Sequence, residues 1–312
     1  MENNQPLVSV IMNCYNSDKY LKEAIDSVIA QTYTNWEIIF WDNQSTDKSA
    51  EIVKSYDDKR IKYFYAPKHT LLGEARNLAL SKVNGEYIAF LDCDDIWIKN
   101  KLILQVNLMK SNDKVGLCHC NYKMLNTKTN ISSIAHKRLL ESGNVANNIT
   151  INYNNWMLGM SCIMISKQVL DDFREDLFDS NLKLVEEYEF FCRVLKKYEL
   201  AYCPNILTIF KWHGHNNSIQ FKNNWSSEYM YMSKKYLGYD FTDKEIEYLR
   251  NTSVFYEIKF LLFDDLYCDA KKSIKVLKIN SFKYLFVFLL LKLPINFIKV
   301  LKPFWKRGAY AN

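Results

Sequence analysis

The sequence predicts an α/β protein: a mostly parallel sheet flanked by helices, followed by a C-terminal helical extension. Three observations carry this. Short apolar runs alternate with amphipathic stretches four times within about the first hundred residues, the repeat that builds a parallel sheet covered by helices. Polar groups recur where those runs end, at Asn13, Asp42, Asp92 and Asp94, the edge at which such a sheet gathers its ligands. Beyond residue 220 the runs give way to a helical pattern rich in Tyr, Phe and Leu.

The elements follow in order. Residues 7–12 (Leu-Val-Ser-Val-Ile-Met) form a buried strand ending at Asn13-Cys14-Tyr15-Asn16. Between 19 and 31, apolar residues at 21, 24, 25, 28 and 29 give the spacing of an amphipathic helix. A second strand runs 36–41, with Asp42 at its end. Ser45-Thr46-Asp47 offers cap residues for a helix reaching about Tyr56. A third strand at 61–65 and a third helix at 72–83, ended by Asn84-Gly85, lead to a strand at 87–91. A helix at 99–109 and strands at 115–122, 160–165 and 206–212 follow, with a helix opened by Glu186-Glu187-Tyr188-Glu189 before the last strand. The stretch 126–155 is polar and Asn-rich, without a sustained period.

The chain has 312 residues, 48% hydrophobic and 24% charged, with eight Gly and five Pro, a globular composition. The polar start lacks a basic segment followed by an apolar one, so no signal peptide is expected. The eight cysteines are scattered and are read as reduced thiols. Cys118-His119-Cys120 resembles a ligand cluster, but adjacent strand residues point to opposite faces. The net charge of +6 is uneven. From Lys271 to Asn312 there are ten Lys/Arg and no Asp or Glu, leaving a net −4 on the other 270 residues.

The chemistry centres on Phe90-Leu91-Asp92-Cys93-Asp94-Asp95. Three carboxylates at a strand end repel one another unless a cation or hydrogen-bond donors neutralise them. Mg²⁺ or Mn²⁺, which prefer oxygen ligands, would do so while holding a diphosphate. An acidic turn preceding the helix after Trp97 is the plainer alternative. No Gly-x-Gly-x-x-Gly follows the first strand and no Gly-Lys-Ser/Thr is present, which disfavours a dinucleotide dehydrogenase and a P-loop NTPase. Arg76 has the forked donor geometry that suits a diphosphate, or is a solvated surface arginine.

These segments together carry a resemblance. Val8-Ser-Val-Ile-Met-Asn-Cys-Tyr-Asn16, Glu23-Ala-Ile-Asp-Ser-Val28 with Gln31-Thr-Tyr33, Trp41-Asp-Asn-Gln-Ser-Thr-Asp47, Ala75-Arg-Asn77 and Gly85-Glu-Tyr-Ile-Ala-Phe-Leu-Asp-Cys-Asp-Asp95 with Trp97 resemble glycosyltransferase family 2 on the Rossmann-like GT-A fold. The match is dense over residues 7–105, with five separated motifs in the family's order. It implies a nucleotide-sugar donor, a divalent metal (Mn²⁺ or Mg²⁺) and inversion at the anomeric carbon. By motif position Asn13 and Asp42 would contact the nucleoside, Arg76 the nucleotide, Asp92 ribose or metal, and Asp94 the metal. His69-Thr-Leu-Leu-Gly73 departs from the family's Asn-x-Gly, leaving the shape of that loop open.

Two later segments extend the resemblance. The family has Glu-Asp-Tyr at the start of a helix, with the second acid as general base; here Glu187 takes that position. Acids also suit a helix N-terminus for ordinary electrostatic reasons. Phe210-Lys211-Trp212-His213-Gly-His-Asn-Asn-Ser218 resembles the family's Tyr-Arg-x-His-x-x-Asn-x-Ser, placing His213 as metal or phosphate ligand and His215 as an extra candidate.

The expected organisation is a GT-A domain over 1–220 and a helical region with a basic amphipathic tail over 221–312. The longest apolar run in the tail, 284–291, is too short to span a bilayer, which needs about 20 residues. Aromatic and aliphatic residues mixed with lysines suit an anionic membrane surface, or a buried helix pair with a basic face. No recognition module accompanies the lysines, so nucleic acid is not an expected partner. The reading is an inverting, metal-dependent glycosyltransferase. It would move a sugar, with a UDP-sugar the expected donor, to a hydroxyl of a glycan or lipid-linked glycan in surface-polysaccharide assembly. It would sit in the cytoplasm, peripheral on the inner face of the cell membrane. Two alternatives stand beside it. A sugar nucleotidyltransferase would carry a Gly-rich basic loop where Asn13-Cys-Tyr-Asn16 stands. A non-catalytic carbohydrate- or nucleotide-binding scaffold would not need both acid clusters and His213.

Overall fold

The computed structural model describes residues 5–146, 158–174, 177–214, 216, 221–237, 241–264, 266–278, 282–293 and 298. His215, the distal part of the Asn-rich stretch, Trp156-Met157 and most of the tail beyond Leu293 lie outside the described residues. The chain divides into two compact units, Met1–Gln220 and Phe221–Asn312.

The first unit is built on one sheet. Its strands are β1 Val8–Cys14, β2 Trp36–Asp42, β3 Ile61–Tyr65, β4 Tyr87–Phe90, β5 Ile96–Trp97, β6 Val115–Asn126, β7 Ser132–Ile134, β8 Ile163–Ser166 and β9 Glu199–Trp212. Among the described residues its α-helices are α1 Asp18–Ile29, α2 Ser49–Lys54, α3 Leu72–Leu80, α4 Lys101–Lys110, α5 Lys167–Asp172 and α6 Glu186–Lys197. The strand order is β3-β2-β1-β4-β8-β6-β9-β5, with β7 added on β6. The β3-β2-β1-β4 half is parallel throughout, and β6 and β9 are also parallel; β8, β7 and β5 join antiparallel.

Burial on both faces explains the continuous apolar runs of the parallel half. Every residue of β2 is buried, and all of β1 except Asn13. Leu21, Ala24, Ile25 and Val28 of α1 and Leu102, Val106 and Met109 of α4 enter the same core as Val10, Met12, Ile38 and Phe40. Ile29, which continues the α1 pattern, is instead partly exposed at the helix end. Leu91-Asp92, past the end of β4, continues the level of β1, since the Leu91 N–H donates to Ile11 O at 3.0 Å.

The opposite end of the sheet is tied by a buried carboxylate. Glu37 accepts from the Ser9 hydroxyl (2.7 Å) and the Asn84 N–H (2.9 Å), and pairs with Lys62. Gly85 is required beside it: a Cβ there would sit 2.6 Å from Ser9 N and 2.7 Å from Leu7 O, both backbone atoms that cannot give way.

The short elements β5, β7 and α5 are not expected from the sequence and β6 runs on to Asn126; two further elements differ from the sequence reading. The strand expected at 160–165 begins with a 3-10 turn, Met160–Cys162, which turns Ser161 toward β4. The final strand is longer, starting at Glu199 and running past Pro204. The β6–β9 register shifts between Cys120/Cys203 and Asn121/Ile206, so Pro204 sits in a bulge where its missing N–H breaks no ladder bond.

In the second unit, α7 Trp225–Lys235, α8 Asp243–Phe263, α9 Tyr267–Ser273 and α10 Phe282–Lys292 are the α-helices among the described residues. Thr242 and Glu245 form a reciprocal capping box at the start of α8. Val254, Ile258, Leu262, Tyr284, Val287 and Leu291 share its core. No described helix is long and apolar enough to cross a membrane.

Candidate active site

The site lies at the C-terminal edge of the parallel strands in the first unit. β1 delivers Asn13, β2 Asp42, and the turn after β4 delivers Asp92, Asp94 and Asp95. Two non-glycine residues in the left-handed region, Asn16 (φ 51°) and Gln44 (φ 69°), turn the chain away from this edge after β1 and β2. The Asn16 Oδ1 accepts from the Thr46 N–H at 2.8 Å, locking the two turns together.

Asp92, Asp94 and Asp95 each place a carboxylate oxygen within 4.8 Å of the others. The turn is held from below: the Asp92 N–H donates to Ser161 Oγ (3.1 Å), and the Trp97 indole N–H donates to Ser161 O (2.7 Å). Asp95 is buried. Its Oδ1 accepts the Lys211 N–H at 3.0 Å, while Oδ2 is buried with no hydrogen-bond partner. Burial, then Asp94 and Asp92, push its carboxyl well above the usual range. Desolvation likewise pushes Asp92 up to about 7, with Glu187 and Asp94 adding to the effect and Arg76 opposing it. Such crowding of acids is relieved by a bound cation. The donor set fits a hard divalent ion: three carboxylates and, 2.7 Å from Asp94 Oδ2, the His213 Nε2. The His213 ring stacks on Tyr20, with centroids 5.3 Å apart.

The second acid cluster meets the first. Arg76 on α3 is buried. Its Nη1 donates to Glu186 Oε1 at 3.0 Å and its Nη2 to Glu187 Oε1 at 2.7 Å. The same Nη2 lies 3.6 Å from Asp92 Oδ1. One guanidinium therefore spans two acid groups separated by about 95 positions in sequence. The Glu187 side chain retains 25% exposure against 3% for Glu186, so Glu187 is the member of the pair that faces solvent.

On the other flank, Asn13 Nδ2 is buried without a hydrogen-bond partner. Asp42 is fully buried: Oδ1 accepts from the Ser45 N–H and Oδ2 from the Tyr63 hydroxyl, each at 2.7 Å. His69, in the loop whose shape the sequence left open, places Nδ1 2.8 Å from Asn43 O and packs against Tyr15 with the rings tilted at 51° and their centroids 4.3 Å apart.

A family model described as Glycosyl transferase family 2 matches residues 9–174. The chain belongs to glycosyltransferase family 2. Among its relatives, the Escherichia coli UDP-Glc:alpha-D-GlcNAc-diphosphoundecaprenol beta-1,3-glucosyltransferase WfgD is 32% identical over 190 residues, 61% of this chain and 70% of that protein. An uncharacterized glycosyltransferase of Haemophilus influenzae is 43% identical over 129 residues, 41% of this chain and about half (51%) of that protein. Two solved structures share the GT-A-like fold at low identity. S. aureus TarS 1-349 in complex with UDP-GlcNAc superposes with a TM-score of 0.64 at 18% identity, covering 92% of this chain and 81% of TarS 1-349. The mannosyltransferase PcManGT from Pyrobaculum calidifontis, in complex with GDP-Man and Mn2+, gives 0.57 at 13%, covering 97% and 88%.

For a family 2 chain, the sequence reading assigned no role to three residues that the structure brings into the site. Asp95 was visible as the third acid of its run. Glu186 was legible only as part of a helix start. Ser161, which holds the Asp92 backbone, gave no signal, because its position depends on a 3-10 turn.

Proposed function

We propose that this chain is an inverting, metal-dependent glycosyltransferase. In this reading it moves a sugar from a nucleotide-sugar, with UDP as the carrier, to a hydroxyl of a glycan or lipid-linked glycan in surface-polysaccharide assembly. The observation that carries it is the convergence of two acid clusters on one sheet edge, with Glu187 open to solvent beside the Asp92–Asp94–Asp95 trio. WfgD is named for a UDP-Glc donor and a diphosphoundecaprenol-linked acceptor, TarS was crystallised with UDP-GlcNAc, and PcManGT with GDP-Man and Mn2+; these support the donor class, the metal and the acceptor class.

Asp94, Asp92 and His213 would hold the metal, with Asp95 beside them in the same acidic turn. When bound, Mn²⁺ or Mg²⁺ supplies Lewis-acid stabilisation of charge on the diphosphate. Asn13 and Asp42 lie at the nucleoside side, Asn13 with a free amide donor. Glu187 takes the proton of the acceptor hydroxyl as that oxygen bonds to the anomeric carbon from the face opposite the diphosphate. The bond from the anomeric carbon to the diphosphate oxygen breaks, and the nucleoside diphosphate leaves with the electron pair. The basic, acid-free tail and the outward Phe286 and Leu289 of α10 support peripheral binding at the cytoplasmic membrane face, where a lipid-linked acceptor would lie.

The test is turnover of UDP-glucose, UDP-N-acetylglucosamine and GDP-mannose with and without Mn²⁺, in wild type and Glu187→Gln. Metal-dependent turnover that falls by about 10²–10⁴ in the variant is expected. Nucleotide binding with no metal-dependent turnover would refute the enzyme reading in favour of a scaffold.

A further inference from the structure

We infer that Arg76 is a positioning residue for the general base, and that it does not hold the donor diphosphate. The inference rests on the reading of Glu187 given above. A guanidinium offered to a diphosphate must present an open edge. Arg76 is 2% exposed, and both terminal nitrogens are already directed at carboxylates of α6. Phe178 closes one face, with the guanidinium carbon 5.4 Å from its ring centroid.

The neighbouring Asn77 completes the device. Its Nδ2 donates to Phe178 O at 2.7 Å, and its Oδ1 accepts from the Phe178 N–H at 3.0 Å. This two-bond clamp fixes the segment leading into α6 against α3. Arg76 then fixes the first turn of α6 from the same helix. Glu186, buried at 2%, acts as the permanent counter-charge, so the guanidinium is not left unpaired when Glu187 gains a proton. Glu187 is bound through Oε1 by this charge-assisted contact, which sets the direction of its carboxylate. Arg76 also reaches toward Asp92 at 3.6 Å, so one side chain sets the spacing between the base and the acidic turn. The Ala75-Arg76-Asn77 motif is thus the hinge plate between the two acid clusters.

The experiment separates binding from turnover. Affinity for UDP and for GDP, each with Mn²⁺, is measured by calorimetry for wild type, Arg76→Lys, Glu187→Gln and the double variant. Turnover of the three donors named above is measured alongside. A positioning role predicts that Arg76→Lys binds nucleotide within about twofold of wild type while kcat falls at least tenfold, since a misplacement of about 1 Å costs up to 10²-fold. In the Glu187→Gln background the same change should cost less than about threefold, because the group it positions is gone. Nucleotide affinity weakened tenfold or more by Arg76→Lys, or losses that multiply in the double variant, would overturn the inference and restore Arg76 to the donor site. Should Arg76→Lys not fold, Glu186→Gln decides. Positioning predicts a lower kcat at unchanged nucleotide affinity, whereas a donor role predicts tighter nucleotide binding by the released guanidinium. Wild type that binds neither nucleotide and turns over no donor would remove the enzyme reading itself, and this inference with it.

Discussion

Asp94 stands between two neighbours of opposite tendency: carboxylates at 92 and 95 that repel it, and an imidazole 2.7 Å away that attracts it. A cation resolves this conflict, so Mn²⁺ should raise the thermal midpoint of the wild-type protein. At a free concentration 100 times Kd the stabilisation is about 2.7 kcal/mol, a shift of a few degrees. Asp94→Asn should abolish the shift while leaving the metal-free midpoint equal or higher, since one repelling charge is gone; differential scanning fluorimetry with and without Mn²⁺ reads both. Glu37 behaves oppositely to the site acids. Burial raises its pKa, but Lys62, the Ser9 hydroxyl and Asn84 together bring it below the ordinary 4.5. Its contribution is therefore present above about pH 4.5 and lost as pH falls through the lower folded value. Glu37→Gln should cost on the order of 2–4 kcal/mol at pH 7. The gap between variant and wild type should narrow below pH 4 in urea titrations.

At the scale of elements, the β1–β4 half and α1 were legible because strands buried on both faces and a one-faced helix leave plain periodicities. The half from β6 to β9 was less so. Pro204 reads as a strand breaker, and only the β6–β9 bulge reveals why β9 passes through it. The two-residue β5 is too short to register in any pattern, yet it places Trp97 over Ser161. The acids of the site were legible as a run and as a helix start. The burial of Arg76 was not, because the groups that bury it, Phe178, Glu186 and Glu187, lie about a hundred residues downstream. Gly85 makes a test at this scale. Gly85→Ala drives a Cβ into the backbone of β1, so a loss of about 1–3 kcal/mol or more is expected by chemical denaturation. An unchanged midpoint would contradict the packing described.

At the scale of the whole molecule, the charge is partitioned: the 42 residues from Lys271 onward carry all of the net positive charge. If this region seeks anionic lipid, the protein should sediment with phosphatidylglycerol-containing vesicles at low salt. It should be released as salt rises, and should ignore neutral phosphatidylcholine vesicles. Binding to both alike, or to neither, would contradict a membrane role for the tail. The central claim is that one cation under a diphosphate and one proton-accepting carboxylate share a single sheet edge. It is tested most directly by the anomalous diffraction of crystals grown with Mn²⁺ and UDP. A manganese peak about 2.1 Å from an Asp94 carboxylate oxygen is expected, with the diphosphate beside it and Glu187 facing the same space. A manganese peak away from Asp92, Asp94 and His213, or a diphosphate on a face that Glu187 does not share, would contradict it.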